Sequence, residues 1–266
     1  MHVGSRWGLL PEKYFNADTN PFQRWVITCW KDMVMNIHGT ISSIFTLGDL
    51  TDGSNMKSLG VDVTSTDLDD QVKWVCELLS PLVGKKTRVY GVDGSGYHSG
   101  LATNTDRRVV EHFKGRYAKN TLHIQIHDKL IQLNHESGAS NLQKEADRVL
   151  QYAQTSHSLA PDLVLRGHVH RYLRYENSTI SAISCPGWQY PTPFIEKRSA
   201  NTKWDIGLLI VEFDKDIIKA YPKTYNIPSD VIEEMRGYTK IIPSKKPGYS
   251  MALSQEWLTT CKERRW

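Results

Sequence analysis

Histidines and carboxylates recur along this 266-residue chain in four short clusters. Gly48-Asp49-Leu50-Thr51-Asp52-Gly53, the loop Gly94-Ser95-Gly96-Tyr97-His98, then Asn134-His135 and Gly167-His168-Val169-His170 each come directly after a strand-like run, and His2 stands by itself near the start. Asp and His are the ligands expected of Mn, Fe or Zn, and a carboxylate shared between two ions is what a dinuclear centre needs. Two ions about 3.5 to 4 Å apart clamp a phosphoryl group and lower the pKa of a bound water from about 15.7 toward 7, which makes hydroxide available at neutral pH. His-x-His alone is a weak signal in a chain with ten histidines. A buried ring bonded to backbone accounts for any one of these histidines, and turn formation for Asp49 and Asp52. Neither accounts for four clusters in a fixed order.

The elements that must position these residues are legible from periodicity. Ile41 to Leu47, Arg88 to Val92 and Leu163 to Leu165 read as short buried strands, and each runs into one of the loops above. Leu122 to Ile126 and Lys129 to Leu133 alternate apolar and polar residues across His127-Asp128, a hairpin signal that delivers His135 at its exit. Between the strands lie helices. Asn20-Pro21 caps one whose apolar positions are Phe22, Trp25, Val26, Trp30, Met33 and Ile37. A second is expected from about Thr66 to Leu82, with Asp67, Asp69 and Asp70 where the helix dipole favours them. Others are expected from Asp106 to Tyr117 and from Leu142 to Gln154. His112 on the former, with His123 and His127, reads as surface or packing. After His170 the pattern is mostly β, with a strand from Thr179 to Ser184 and a hairpin across Asp214-Lys215.

Composition bounds the class. With 39% hydrophobic and 23% charged residues, the chain reads as an ordinary globular protein with one large domain, residues 1–235. Residues 236–266 form a basic segment, open to two readings: a mobile tail, or a helix held on the surface by Trp257 and Trp266. A net charge of +4 tolerates anionic substrates and falls short of a nucleic-acid signature. Cys29, Cys76, Cys185 and Cys261 are scattered, with no Cys-x-x-Cys and no signal peptide, which suits buried thiols in a cytoplasmic protein. No apolar run is long enough for a membrane span.

In this order the clusters resemble the calcineurin-like metallophosphoesterase superfamily, whose motifs run Asp-x-His, Gly-Asp-x-x-Asp, Gly-Asn-His-Asp/Glu, a lone His and Gly-His-x-His. The resemblance extends from His2 to about Trp188, and the β-rich segment to Tyr221 fits the rest of that fold. His2-Val3-Gly4-Ser5 with Gly8-Leu9-Leu10-Pro11, and the Gly94 to His98 loop, look like the small members found in phage and prophage genomes. The resemblance implies an α/β (α+β) fold, a four-layer αββα sandwich. It implies two divalent ions, manganese first, with iron, zinc or nickel as alternatives. Asp49 would bridge them, His2 and His170 would complete one side, and His135 and His168 would hold the other. His98 would be the counterpart of the catalytic His, and Asp52 would shape its loop. Ser95 stands where the family has its metal-binding Asn, so either Ser95 or His98 would fill that position.

The reaction implied is hydrolysis of a phosphate ester, monoester or diester, by a metal-bound hydroxide, with a nucleotide or DNA among the substrates and the cytoplasm, the host's if phage-encoded, as the location. The other reading is a non-catalytic binding module on the same fold that has lost motif ligands. The family's first-motif Asp would lie two residues before His2, on a central strand this sequence does not contain. This predicts that Met1 is internal and that the natural polypeptide extends upstream; an in-frame stop codon just before Met1 would refute it.

Overall fold

The computed structural model describes residues 1–54, 62–99, 104–135, 161–192, 204–214 and 217–241. The helix expected over Leu142–Gln154, as well as Cys261, Trp257 and Trp266, lies outside them. The chain divides into two units, Met1–Ile227 and Pro228–Trp266. In the second the described element is a helix, Ser229–Ile241.

In the first unit, helix α1 (Pro21–Ile37) starts as its sequence dictates. The Asn20 side chain accepts from the Gln23 amide and the Gln23 side chain returns a bond to Asn20, a reciprocal cap with Pro21 in the first turn. It buries Phe22, Val26, Ile27, Cys29, Trp30 and Met33. Strand β1 (Ser43–Thr46) follows, then α2 (Leu68–Leu79), capped by Asp67 and extended by one 3-10 turn at Ser80–Leu82. Strand β2 (Arg88–Val92) leads into a single helical turn, α3 (Gly96–Ser99), within the glycine-rich loop. Helix α4 (Thr105–His112) is shorter than the sequence suggests. Lys114 turns into the left-handed region at φ 54° and the Gly115 amide bonds back to Val110, a common helix stop. Tyr117 accordingly lies on β3 (Arg116–Ala118), not on a helix.

β1, β2 and β3 form a three-stranded parallel sheet in that order. The hairpin β4 (Thr121–Ile126) and β5 (Lys129–Asn134) begins a five-stranded sheet. It continues with β6 (Leu163–Arg166), then β7 (Leu173–Glu176) and β8 (Ser181–Ser184), in the order β4-β5-β6-β8-β7. β5, β6 and β8 are mutually parallel. β7 is absent from the sequence reading, because Leu173-Arg174-Tyr175-Glu176 alternates over only four residues, half-buried and exposed by turns. β9 (Ile206–Asp214) and β10 (Ile217–Tyr225) make the expected C-terminal hairpin.

The inner faces of these sheets meet in one core. Val92, Leu122, Ile124, Ile131, Leu133, Leu163, Leu165 and Ile183 are buried there, with Phe45, Tyr90, Leu209 and Val211 packed against them. Helix α4 covers β2 and β3 and packs against α2. The fold is therefore α/β, with sheets packed face to face and helices outside. Among the described residues β1 is an edge strand. A cavity of about 1160 Å³ borders it and β9, and reaches the loops that follow β1, β5 and β6. Those loops leave the C-terminal ends of parallel strands, where open α/β sheets place their ligands.

Candidate metal centre

The Gly48–Gly53 loop leaves β1 through two left-handed residues, Gly48 at φ 79° and Asp49 at φ 50°. Such a torsion is costly for a residue with a Cβ, and it recurs at His2 (51°), His168 (75°) and His170 (53°). Four of the sequence-predicted ligands are thus held in sparsely populated backbone conformations, which persist where surrounding structure imposes them.

His2 reaches the site by lying alongside that loop. Its amide donates to the Asp49 carbonyl, the Val3 amide donates to Leu50, and the Asp52 amide returns to Val3. The residue is 2% exposed, with Nδ1 3.2 Å from Asp52 Oδ1 and Nε2 3.1 Å from Nε2 of His170. Contact with the Asp52 carboxylate places the proton on Nδ1 and leaves a lone pair on Nε2. Burial, with His98 nearby, lowers the His2 pKa to about 4, and burial with His2 nearby holds His170 well below the ordinary value. Both rings are therefore neutral bases. His170 Nδ1 is buried and has no hydrogen-bond partner among the described residues.

His135 is set from the other side. Its Nδ1 donates to the Leu47 carbonyl at 2.5 Å, and Nε2 lies 3.0 Å from Asp49 Oδ2 and 3.3 Å from His168 Nδ1; burial lowers the His135 pKa, but Asp49 more than reverses this and raises it. Such a backbone bond is the usual device for fixing a ligating imidazole. Asp49 is itself oriented: both the amide and the hydroxyl of Ser95 donate to Oδ1, at 2.8 and 3.2 Å, which leaves Oδ2 for the imidazole. Burial pushes the Asp49 pKa up, but His135, His98 and His2 outweigh it and hold the carboxyl well below its usual range.

Two groups of potential ligand atoms result, each within 4.8 Å: Asp49 with His135 and His168, and His2 with Asp52 and His98. His170 joins the second through His2. His98 stands on α3 with Nδ1 3.0 Å from the Asp52 carbonyl and 3.3 Å from its carboxylate. Burial lowers its pKa, but Asp52 and Asp49 more than reverse this and raise it to about 9. Asp52, 2% exposed, thus holds two rings at once. All eight sequence-predicted residues come together, although they are drawn from five separate stretches of chain. Each of these close N···N and N···O approaches needs a proton or a cation between the two atoms, and the donor set fits divalent ions. The chemistry of such a set, imidazole with carboxylate, suits Mn, Fe, Zn or Ni.

Three further residues serve the site without having stood out in the sequence. Gln71 is fully buried on α2. Its Oε1 accepts from the Asp52 and Gly53 amides, and its Nε2 donates to the Gly53 and Ser65 carbonyls. Its position four residues before buried Val75, a polar side chain in an apolar stripe, was the available signal. Gln189 lies near Asp52 Oδ1 at 3.5 Å, and Asp106 contacts the two glycine loops. Asp106 carried no signal, because an acidic residue in a first helical turn is ordinary.

No protein-family model and no curated protein matches the chain. Among solved structures it is similar to Vps29 of Entamoeba histolytica complexed with zinc, at 12% identity and TM-score 0.41 over 74% of this chain and 89% of that one. It is also similar to an archaeal phosphodiesterase, at 12% identity and TM-score 0.42 over 74% and 93% of the two chains. A third likeness is to a hypothetical protein of Pyrococcus horikoshii, at 10% identity and TM-score 0.42 over 81% and 88%.

Proposed function

We propose that this protein is a metal-dependent phosphoesterase that hydrolyses a phosphate monoester or diester, a nucleotide or DNA being the substrate class first to test. The observation that carries the reading is the pairing of Asp49 Oδ2 with His135 Nε2 at 3.0 Å, while the opposite nitrogen of that ring is committed to the Leu47 carbonyl. In the metal-free site a proton on Nε2 bridges the ring to the carboxylate, and a divalent ion would take that proton's place between the same two ligand atoms.

Asp49, His135 and His168 would hold one divalent ion, and His2 and His170, with Asp49 shared, a second; manganese is the first choice. When bound, such ions supply Lewis-acid charge at phosphorus and hydroxide at neutral pH. The remaining roles belong to the chain. Asp52 keeps the His2 and His98 rings in place through their Nδ1 atoms. His98, whose Nδ1 is engaged by Asp52, would present Nε2 as the nitrogen that passes a proton to a leaving oxygen. Ser95 holds Asp49 Oδ1 in place by two hydrogen bonds.

The test is manganese-dependent hydrolysis of bis(p-nitrophenyl) phosphate by the full chain, with the Asp49→Asn protein as the blank. Turnover above that blank supports the reading. Folded wild-type protein that binds manganese no better than the blank and turns nothing over would sink it.

A further inference from the structure

Asp106 touches none of the imidazoles, yet its carboxylate is fully buried between the two glycine loops that frame the metal centre. One oxygen, Oδ1, accepts the Leu50 amide at 2.9 Å. The other, Oδ2, accepts the amides of Gly94 at 2.8 Å and Asp49 at 3.3 Å. Beside it, the hydroxyls of Thr105 and Thr51 meet at 2.6 Å and tie the same helix start to the same loop. Three N–H donors therefore converge on two oxygens, and neither oxygen can be exchanged for an N–H group without setting donor against donor. The site calls for a carboxylate rather than an amide.

The loops joined in this way are the ones that orient Asp49. Its backbone sits at φ 50°, and Ser95, next to Gly94, supplies both hydrogen bonds to Asp49 Oδ1. Removing the shared acceptor frees the Asp49 amide and lets the Gly94-Ser95 segment drift from the carboxylate it holds. A buried second carboxylate close to Asp49 is also costly unless positive charge is present.

We propose that Asp106 is a positioning residue of the metal centre: by accepting the Asp49, Leu50 and Gly94 amides it fixes the direction in which Asp49 presents Oδ2. The proposal rests on the metal-centre reading above and assigns a role to a residue outside the ligand set.

The experiment is cobalt(II) titration of the full-length wild-type, Asp106→Asn and Val110→Ala proteins, followed by calorimetry and by the visible absorption of the bound ion. Val110 is fully buried on the same helix, beside Gly91 of β2 and Gly115, and makes no polar contact with Asp49, so its truncation serves as the packing control. Loss of a residue that orients a metal ligand typically costs about 10- to 100-fold in affinity. We expect that loss for Asp106→Asn, together with a changed absorption band, and an unchanged band with affinity within about threefold for Val110→Ala. If Asp106→Asn does not fold, Asp106→Ser, which can turn hydroxyl lone pairs toward the amides, takes its place with the same expectation. Wild-type affinity and spectrum in the Asp106 variant, or an equal loss in Val110→Ala, would overturn the role while leaving the metal centre standing. Wild-type protein that binds no cobalt would overturn the metal centre and the role with it.

Discussion

Replacing Gly94 with alanine should disable the metal centre, and the structure supplies the magnitude. A Cβ at Gly94 would lie 2.1 Å from Asp49 Oδ1, 2.2 Å from the Asp49 nitrogen and 2.9 Å from its Cα. Ordinary contact begins near 3.4 Å, so the loops would have to part by more than an ångström, and the obstacle is largely backbone, which cannot rotate aside. Overpacking of this kind costs about 1–3 kcal/mol. Parting the loops also strains the Gly94 amide bond to Asp106 and the Ser95 bonds to Asp49, hydrogen bonds to charged groups that are worth about 1.5–3 kcal/mol each. With one such bond lost, a total of roughly 2.5–6 kcal/mol is expected. Gly39→Ala is the control: Gly39 has φ 75° but open space around it, so only the backbone torsion is penalised, by about 1–2 kcal/mol. Chemical denaturation with and without manganese measures both. Wild-type manganese binding in Gly94→Ala, or a stability loss no larger than that of Gly39→Ala, would refute the reasoning.

Other changes should separate folding from binding. Gln71→Ala should destabilise by at least about 2 kcal/mol, because it strands the buried Gly53 amide and carbonyl, each worth about 1–3 kcal/mol when left unpaired; urea unfolding measures it. Asn20→Ala removes the α1 cap, together with the side-chain bond to the Arg6 carbonyl, and should cost about 1–2 kcal/mol by the same assay. His135→Ala should lose metal binding at least as strongly as the 10- to 100-fold typical of an orienting partner, whereas His112→Ala, exposed on α4, should leave it intact; calorimetry distinguishes them. Burial raises the thiols of Cys29 and Cys76 to about 11 and that of Cys185 to about 12. In a Cys261→Ser protein, iodoacetamide should therefore react slowly with the native chain and rapidly once urea unfolds it, as mass spectrometry will record.

The sequence by itself determined the elements whose signal is local. The Asn20-Pro21 cap, the apolar stripe of α1, the strand Arg88–Val92 and the hairpin at His127-Asp128 are stated by neighbouring residues, because caps, turns and side-chain period act over a few positions. The candidate ligands were legible for a related reason, since each cluster sits at the exit of a strand and metal chemistry restricts its residue types. Tertiary structure decided the rest. Nothing local says that α4 stops at His112 and releases Tyr117 to a strand, for Lys114 takes up the left-handed turn that a glycine usually signals. Nor could spacing show that Asp52 holds the rings of both His2 and His98, that Gln71 cradles the loop between them, or that Asp106 gathers three amides from two loops. Those contacts join residues as much as 57 positions apart, and which buried donor meets which acceptor is fixed only when the sheets pack and every polar group inside must find a partner.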